Sequence, residues 1–571
     1  MWAKFLTMKW FSILLVILFC SSQAFSQANL PDNFFIKFLD NGLEVLVIED
    51  KSIPLATIEI CVRNGAYTES PEYDGLSHLY EHMFFKANKE LPSQEAFLER
   101  VQELGIVFNG TTSEERVNYY LTLHKTNLEN GLNFINTAIR YPLFLKEEMI
   151  KENPVVDGEF QRSESSPVFH LLDGLSHNMW KEHYSRKNVI GDHDIIMNAT
   201  PEKMNFIKSK FYYPNNTLLA VAGDVNHSEV FEYANTIFGD WEASDFDPFE
   251  KYPIPEFEPL KYSMQFVVES ENARVPYFVM AFHGPDTRND IEATYAADVF
   301  SFILSQSSSK FHKDILESGL TVFTSVGYQT LKHVGPIQII SVLKSPEELE
   351  LFMKTLNEHI DMWDSDDYFT DEQMQTSKDL LAIDDAYSKE KTSSFIHTTT
   401  YWWASADIDY YVNYMDNLQK VTREDIKKYV RKYIKGQPYV AGLLVHPMHR
   451  AQFSIDEKFI ATRNIEDYLL EFDYNSAALN YGSKEHLNSL SQWLDINPDV
   501  QIKIHARADK SEKWSKWRAK KRLKAATTYL VENGIGKDRL NTKGNKKLIK
   551  IIRGPKDEHL STIKNVTFSI N

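Results

Sequence analysis

Cysteine is almost missing from this 571-residue chain: only Cys20 and Cys61 occur, and Cys20 falls in an N-terminal apolar run. With Cys61 alone in the remainder, an internal disulfide is excluded, so the folded protein has to be held by its cores. Long apolar runs are equally scarce. Apart from the start, no stretch approaches the eighteen or so residues that a membrane-spanning helix needs. Motifs for nucleic-acid recognition are absent as well. The basic block at residues 501–571, with 19 Lys+Arg against 6 Asp+Glu, therefore reads as a solvated basic face and not as a nucleic-acid surface. It leaves a net charge of −31 on the rest of a chain whose total is −18, so two parts of different charge have been joined.

What is present suits a soluble multidomain protein. Hydrophobic residues make up 43% and charged residues 25%, and the length calls for three or four domains. Lys4 and Lys9 precede the apolar run Phe11–Cys20, and SSQAFSQ follows. This is the pattern of a secretory signal peptide cleaved after Ser26, because about ten apolar residues are too few to anchor a chain in a bilayer.

The chemistry concentrates at residues 78–82, HLYEH. On a helix, His78 and His82 stack one turn apart on one face, close enough for two imidazoles to reach one metal ion. A catalytic zinc takes three protein ligands and keeps a position for water, so a carboxylate has to complete the set. Glu81, beside the histidines, is placed to act as general base on that water. The alternative is a pair of unrelated histidines that happen to share a spacing. Context favours the site: Leu76, Leu79, Tyr80, Met83 and Phe84 fall on the opposite side, and Asp74 is an N-cap candidate, so Asp74–Phe85 is expected to be an amphipathic helix.

Strands are expected at LEVLVIED and LATIEICVRNG, the latter alternating Ala56, Ile58, Ile60 and Val62 against Thr57, Glu59, Cys61 and Arg63. MQFVVES and VPYFVMAFHGPD repeat the theme, with a helix over 290–305. YPLFLKEEM at Tyr141–Met149 echoes DDYFTDEQM at Asp366–Met374, an offset of 225. Carried without gaps, that offset puts Ile303, Gln306, Ser307 and Asp384 opposite His78, Glu81, His82 and Glu159. The second copy lacks the metal site.

In order along the chain, NGLEVLVIED, RNGAYTES, GLSHLYEHMFF, FNGTTSEERVNYY, ENPVVDGEF, HYSRKNVIG and YYPNNTLLAVAGDV resemble the insulinase/pitrilysin group of inverted-zincin metallopeptidases. The resemblance implies an α+β fold, in which two tandem homologous α/β domains, one metal-bearing and one not, surround a closed chamber. It also implies Zn²⁺ bound by His78, His82 and Glu159, Glu81 as general base, Glu152 as the supporting glutamate and peptides as substrates. Asn109 falls in the segment that pairs with extended substrate, although turn duty in Asn109-Gly110 is equally natural. His183 has a structural role as its first expectation. Where the family's active half carries a substrate-gripping arginine and tyrosine, this chain has Ile315 and Val322, neither able to donate such a hydrogen bond. A heterodimer with a paralogous subunit that lacks HxxEH but brings that pair is the economical explanation. A catalytically silent structural partner, or a wall-anchored scaffold, is the competing class.

The tail reads strand, long helix, strand, helix and resembles the OmpA-like peptidoglycan-binding domain. Asp509 and Arg522 stand at that family's ligand positions, a carboxylate and a guanidinium suited to a wall peptide that offers ammonium and carboxylate groups. Its loop is shorter than usual, and the Gly-His-Thr-Asp signature appears as Ala506, Arg507, Ala508 and Asp509. The expected organisation is a signal peptide at 1–26, a zinc domain at 27–222, a metal-free domain at 223–447, a linker at 448–470 and an OmpA-like domain at 471–571. The location implied is the periplasm, with wall or outer-membrane association.

Overall fold

The computed structural model describes residues 30–260, 263–452, 469–473, 476–496, 500–509, 514–541, 549–552 and 562–570. The expected signal segment and most of the expected linker lie outside the described residues.

The first sheet has six strands: β1 (Phe34–Phe38), β2 (Glu44–Glu49), β3 (Leu55–Val62), β4 (Val107–Thr112), β5 (Val117–His124) and β6 (Thr217–Gly223). They lie in the order β1-β2-β6-β3-β5-β4, with β2 and β6 parallel and the other pairs antiparallel. The second sheet comprises β7 (Met264–Glu269), β8 (Tyr277–His283), β9 (Thr321–Tyr328), β10 (Pro336–Leu343) and β11 (Val440–Val445), ordered β7-β11-β8-β10-β9. From β2 onward the second sheet repeats the first strand for strand, including one parallel pair, β7 with β11. The repeat read from YPLFLKEEM and DDYFTDEQM is therefore architectural, and the helices Lys146–Glu164 and Asp371–Glu390 keep the same offset.

Each sheet buries one face under its own helices and the other under a helix from the opposite half. Leu171, Leu175 and Met179 of the helix Pro167–Trp180 pack against Val279, Ala281, Val440 and Leu444 of the second sheet. In return, Ile396, Trp403 and Ala404 of the helix Thr392–Ser405 pack against Leu46, Ile48, Cys61, Leu218 and Ala220 of the first. Each large apolar side chain so buried is worth about 1.5–3 kcal/mol, so the exchange ties the halves together. It also bears on β3, both of whose alternating sets are buried. Cys61 packs in the core that the crossing helix forms, and Glu59 accepts from the hydroxyl of that helix's Thr400.

The first core extends past the expected boundary at 222. Val230, Ala234 and Phe238 of the helix His227–Phe238, together with Trp241, belong to it, so the first domain closes near residue 241. The reason is that β6, a central strand, needs a following helix to cover the sheet.

The tail forms its own core around Leu470, Phe472, Leu487, Leu490, Ile502 and Ile504. Its elements follow the expected order: β12 (Leu469–Asp473), a helix Tyr481–Ile496, β13 (Ile502–Asp509) and a helix Ser515–Glu532. The short strands β14 (Leu540–Asn541) and β15 (Ile549–Ile552) come next, and β16 (Thr562–Ile570) inserts between β12 and β13. Among the described residues no helix is long and apolar enough to cross a membrane.

Candidate metal centre

The HLYEH segment lies on the helix Leu76–Phe84, here called the motif helix. Leu76, Leu79, Tyr80, Met83 and Phe84 are buried in the first core, as the spacing requires, and the histidines face away. The N-terminus differs from expectation. Asp74 does not cap it; the cap residue is Gly75, in the left-handed region at φ 85°. The buried Glu69 carboxylate takes over the capping role, accepting the N–H of Gly75 at 2.8 Å and of Ser77 at 2.6 Å. That satisfies two backbone donors at the start of the helix, while burial and the nearby Asp74 push the Glu69 carboxyl well above its ordinary value. Glycine is required at 75, since a Cβ there would stand 2.5 Å from the Gly191 Cα. Asp74 is buried instead against the Asn188 amide, at 3.2 and 3.3 Å, and burial pushes its carboxyl up to about 7.

The second supplier is the helix Lys146–Glu164, the glutamate helix, where Glu152 and Glu159 are seven residues apart and share a face. His78 Nε2 lies 3.5 Å, and His82 Nε2 3.8 Å, from Glu159 Oε2. Three tetrahedral ligand atoms each about 2.1 Å from a zinc ion stand about 3.4 Å apart, so a convergence in which all three atoms lie within 4.8 Å of one another is close to what that ion requires. Among the described residues no other group of three His, Cys, Asp or Glu side chains brings ligand atoms so close.

Electrostatics favour ligation over simple ion pairing at His78. Burial, aided by the neighbouring His82, pushes its imidazole down to about 4, so it stays neutral with a lone pair to donate. His82 is different. Burial alone would lower its pKa, but the hydrogen bond and charge of Glu152, with Glu81 and Glu159, outweigh it and raise the value. His82 Nδ1 lies 2.8 Å from Glu152 Oε1, which leaves Nε2 facing Glu159. The Glu152 carboxylate would be raised by burial, yet its bonds to His82 and Lys86 bring it below the ordinary range.

Glu81 is buried beside the ligands. Burial raises its pKa, opposed by Thr112, whose hydroxyl donates to Oε2 at 2.7 Å. Gly110 makes this approach feasible, because a Cβ there would fall 2.7 Å from Glu81 Oε1. Both residues belong to β4, an edge strand paired only with β5. Asn109 is exposed on that edge, its Oδ1 accepting from the N–H of Gly110 at 3.0 Å. Sequence reasoning missed Thr112, Gly110, Glu69 and Lys86. A lysine directly after the apolar run Met83–Phe85 was the one available signal for the last.

In the second half, the corresponding helix pair carries no ligands. Ile303 is in the core, Ser307 and Asp384 are exposed, and Gln306 donates to the Gln373 carbonyl and the Ser377 hydroxyl, each at 2.8 Å. Ile315 is fully buried, whereas Val322 is 61% exposed on the edge strand β9. His183 packs edge-on against Phe257. In the tail, Arg522 is fully buried over the Phe472 ring and donates to the carbonyls of Ser476 at 2.8 Å and Asp473 at 3.2 Å. Asp509 ends β13, paired in register with Ile552.

Paired α+β domains with one converging set of three candidate metal ligands, and a buried carboxylate beside it, define a two-domain architecture with a single candidate metal centre among the described residues. Two models of one family match: insulinase (peptidase family M16) over residues 44–193, and the peptidase M16 inactive domain over 198–381. The chain belongs to the M16 family and carries both of its domains. It is 24% identical over 332 residues to an uncharacterized zinc protease of Rickettsia felis, covering 58% of this chain and 78% of that protein. A protease from Helicobacter pylori has the same fold, with a TM-score of 0.65 at 21% identity, over 73% of this chain and all of that one. The periplasmic protease PqqL from Escherichia coli superposes with a TM-score of 0.60 at 14% identity, covering 74% of this chain and 49% of that one.

Proposed function

We propose that this protein is an exported zinc metalloendopeptidase that hydrolyses peptides or unfolded polypeptide segments within a closed chamber. The observation that carries this is the convergence of His78, His82 and Glu159 beside the buried Glu81. His78, His82 and Glu159 would hold a zinc ion, which when bound would supply Lewis-acid polarisation of the scissile carbonyl and lower the pKa of water. Glu81 would take the proton of the attacking water and return it to the leaving amine. Thr112 holds the Glu81 carboxylate for this exchange. Substrate adds to the open edge of β4 as an extended strand, next to Asn109, which brings its backbone alongside Glu81. The names of the relatives, zinc proteases, support the activity, and the periplasmic PqqL supports export to that compartment.

The chain acts with a paralogous subunit that lacks HxxEH and contributes the substrate-gripping arginine and tyrosine. Support comes from Ile315, whose side chain is committed to the core. Co-purification and peptidase assays with and without such a paralogue test this: full activity of the isolated chain would rule the partner out. The tail tethers the enzyme to peptidoglycan through Asp509, whereas Arg522 serves the tail's own fold. Retention on purified sacculi, compared with Asp509→Ala, is the check, and equal retention counts against it. For the enzyme itself, Glu81→Gln is expected to keep about one zinc per chain and lose peptidase activity. Loss of neither, or absence of zinc from the wild type, would sink the proposal.

A further inference from the structure

Lys86 lies four residues beyond His82, just past the motif helix, and is only 5% exposed. Its ammonium stands 2.5 Å from Glu152 Oε2, while the other oxygen of the same carboxylate is 2.8 Å from His82 Nδ1. Burying a lysine is expensive unless its charge is paired, and here Glu152 is its ion-pair partner among the described residues. A neutral carbonyl would be enough to accept one N–H from an imidazole. The fold instead places a buried cation behind the acceptor, so the carboxylate is fixed by both oxygens and cannot swing away from His82. His78 has nothing equivalent: its Nδ1 is buried without a hydrogen-bond partner among the described residues. The two histidines of the motif are thus held in different ways. One is set by packing and the other by a charged relay.

Resting on the assignment of His82 as a metal ligand, we propose that Lys86 is a positioning residue for the metal centre, acting through Glu152 to fix the orientation of the His82 ring. The relay makes one ligand's alignment depend on a charge two steps away from the ion. It accounts for a lysine where the neighbouring Phe84 and Ala87 are buried apolar residues.

The test measures zinc affinity by chelator competition on the full-length wild type, Lys86→Met, Lys86→Arg, Glu152→Gln and the double variant Lys86→Met/Glu152→Gln. Circular dichroism of each metal-free protein accompanies it. Lys86→Met and Glu152→Gln are each expected to weaken zinc binding about 10–100-fold, the range for groups that orient a ligand. The double variant should bind no worse than Glu152→Gln alone, because the lysine acts only through that carboxylate. Lys86→Arg, which keeps the cation, should recover much of the loss. The double variant also leaves no unpaired buried charge, so it reports on the relay even if Lys86→Met folds poorly. Unchanged affinity in Lys86→Met, or losses that multiply in the double variant, would overturn the relay while leaving the peptidase reading intact. A wild type that takes up no zinc would overturn both.

Discussion

The two halves make the same helix–helix contact and use it for different ends. In the first, the motif helix meets the glutamate helix through His78, His82 and Glu159, whose polar atoms point at a shared space. In the second, the helix Ile291–Ser305 is followed at once by Gln306, which meets the helix Asp371–Glu390 with ordinary amide hydrogen bonds, and nothing is left unspent. One topology therefore supports either a reactive seam or a structural one. The difference is local: Gln306 donates inward and satisfies the contact, whereas the first half leaves lone pairs facing each other, an arrangement that favours a cation.

The largest expected effect tests that contrast directly. Glu81→Gln should lower peptide hydrolysis by about 10²–10⁴-fold with the bound zinc retained. Gln306→Ala, across the pseudo-repeat, should leave zinc content untouched and cost about 1 kcal/mol of stability from its lost hydrogen bonds. Metal analysis of Gln306→Ala showing zinc loss would mean that the halves are not chemically distinct.

Next come the crossing helices. Trp403 is buried and its indole N–H donates to Glu44 at 2.7 Å, so Trp403→Ala should cost about 3–5 kcal/mol, and Leu175→Ala at the reciprocal contact about 2–5 kcal/mol. Because each helix serves the opposite sheet, either change should lower one shared unfolding transition. Calorimetry with two transitions, only one of them shifted, would break the picture of interlocked halves.

A pH effect of intermediate size follows from Asp74. Its folded pKa is raised to about 7, so the folded state binds a proton more tightly than the unfolded chain does. Its contribution to stability is complete below the unfolded value near 3.8 and declines as pH rises toward 7, at up to about 1.4 kcal/mol per pH unit. Asp74→Asn should flatten that slope in denaturant titrations between pH 4 and 7, and an unchanged slope would place the titration elsewhere. The smallest effect is expected at Val322→Tyr. On an exposed edge strand it should change stability by no more than about 0.5 kcal/mol and leave the peptidase rate as it was, since the arginine position remains filled by the buried Ile315. A clear rate gain from the tyrosine alone would weaken the case for a partner subunit.

Much of this was legible in the residues. The histidine spacing, the apolar face of the motif helix, the strand segments, the repeat and the element order of the tail all follow from periodicities of two or about 3.6 that any segment carries within itself. Other features were not. The Asp74 cap failed because the real acceptor, Glu69, reaches back from a preceding turn. The cover over the second face of β3 was not legible, because it is supplied by residues more than three hundred positions away. Arg522, chosen for a wall ligand, has its guanidinium on backbone carbonyls of its own domain.

What the sequence determined alone is the set of groups that one helix can present: His78, Glu81 and His82 on a common face, fixed by a rise and a twist that are local. Which carboxylate among the chain's many completes them was decided by the packing of two helices that bring Glu159 within 3.8 Å of both imidazoles. Local geometry needs only backbone hydrogen bonds within a turn. Convergence across distant segments needs the core behind each helix to fix its axis, and with it the direction of every side chain at the seam.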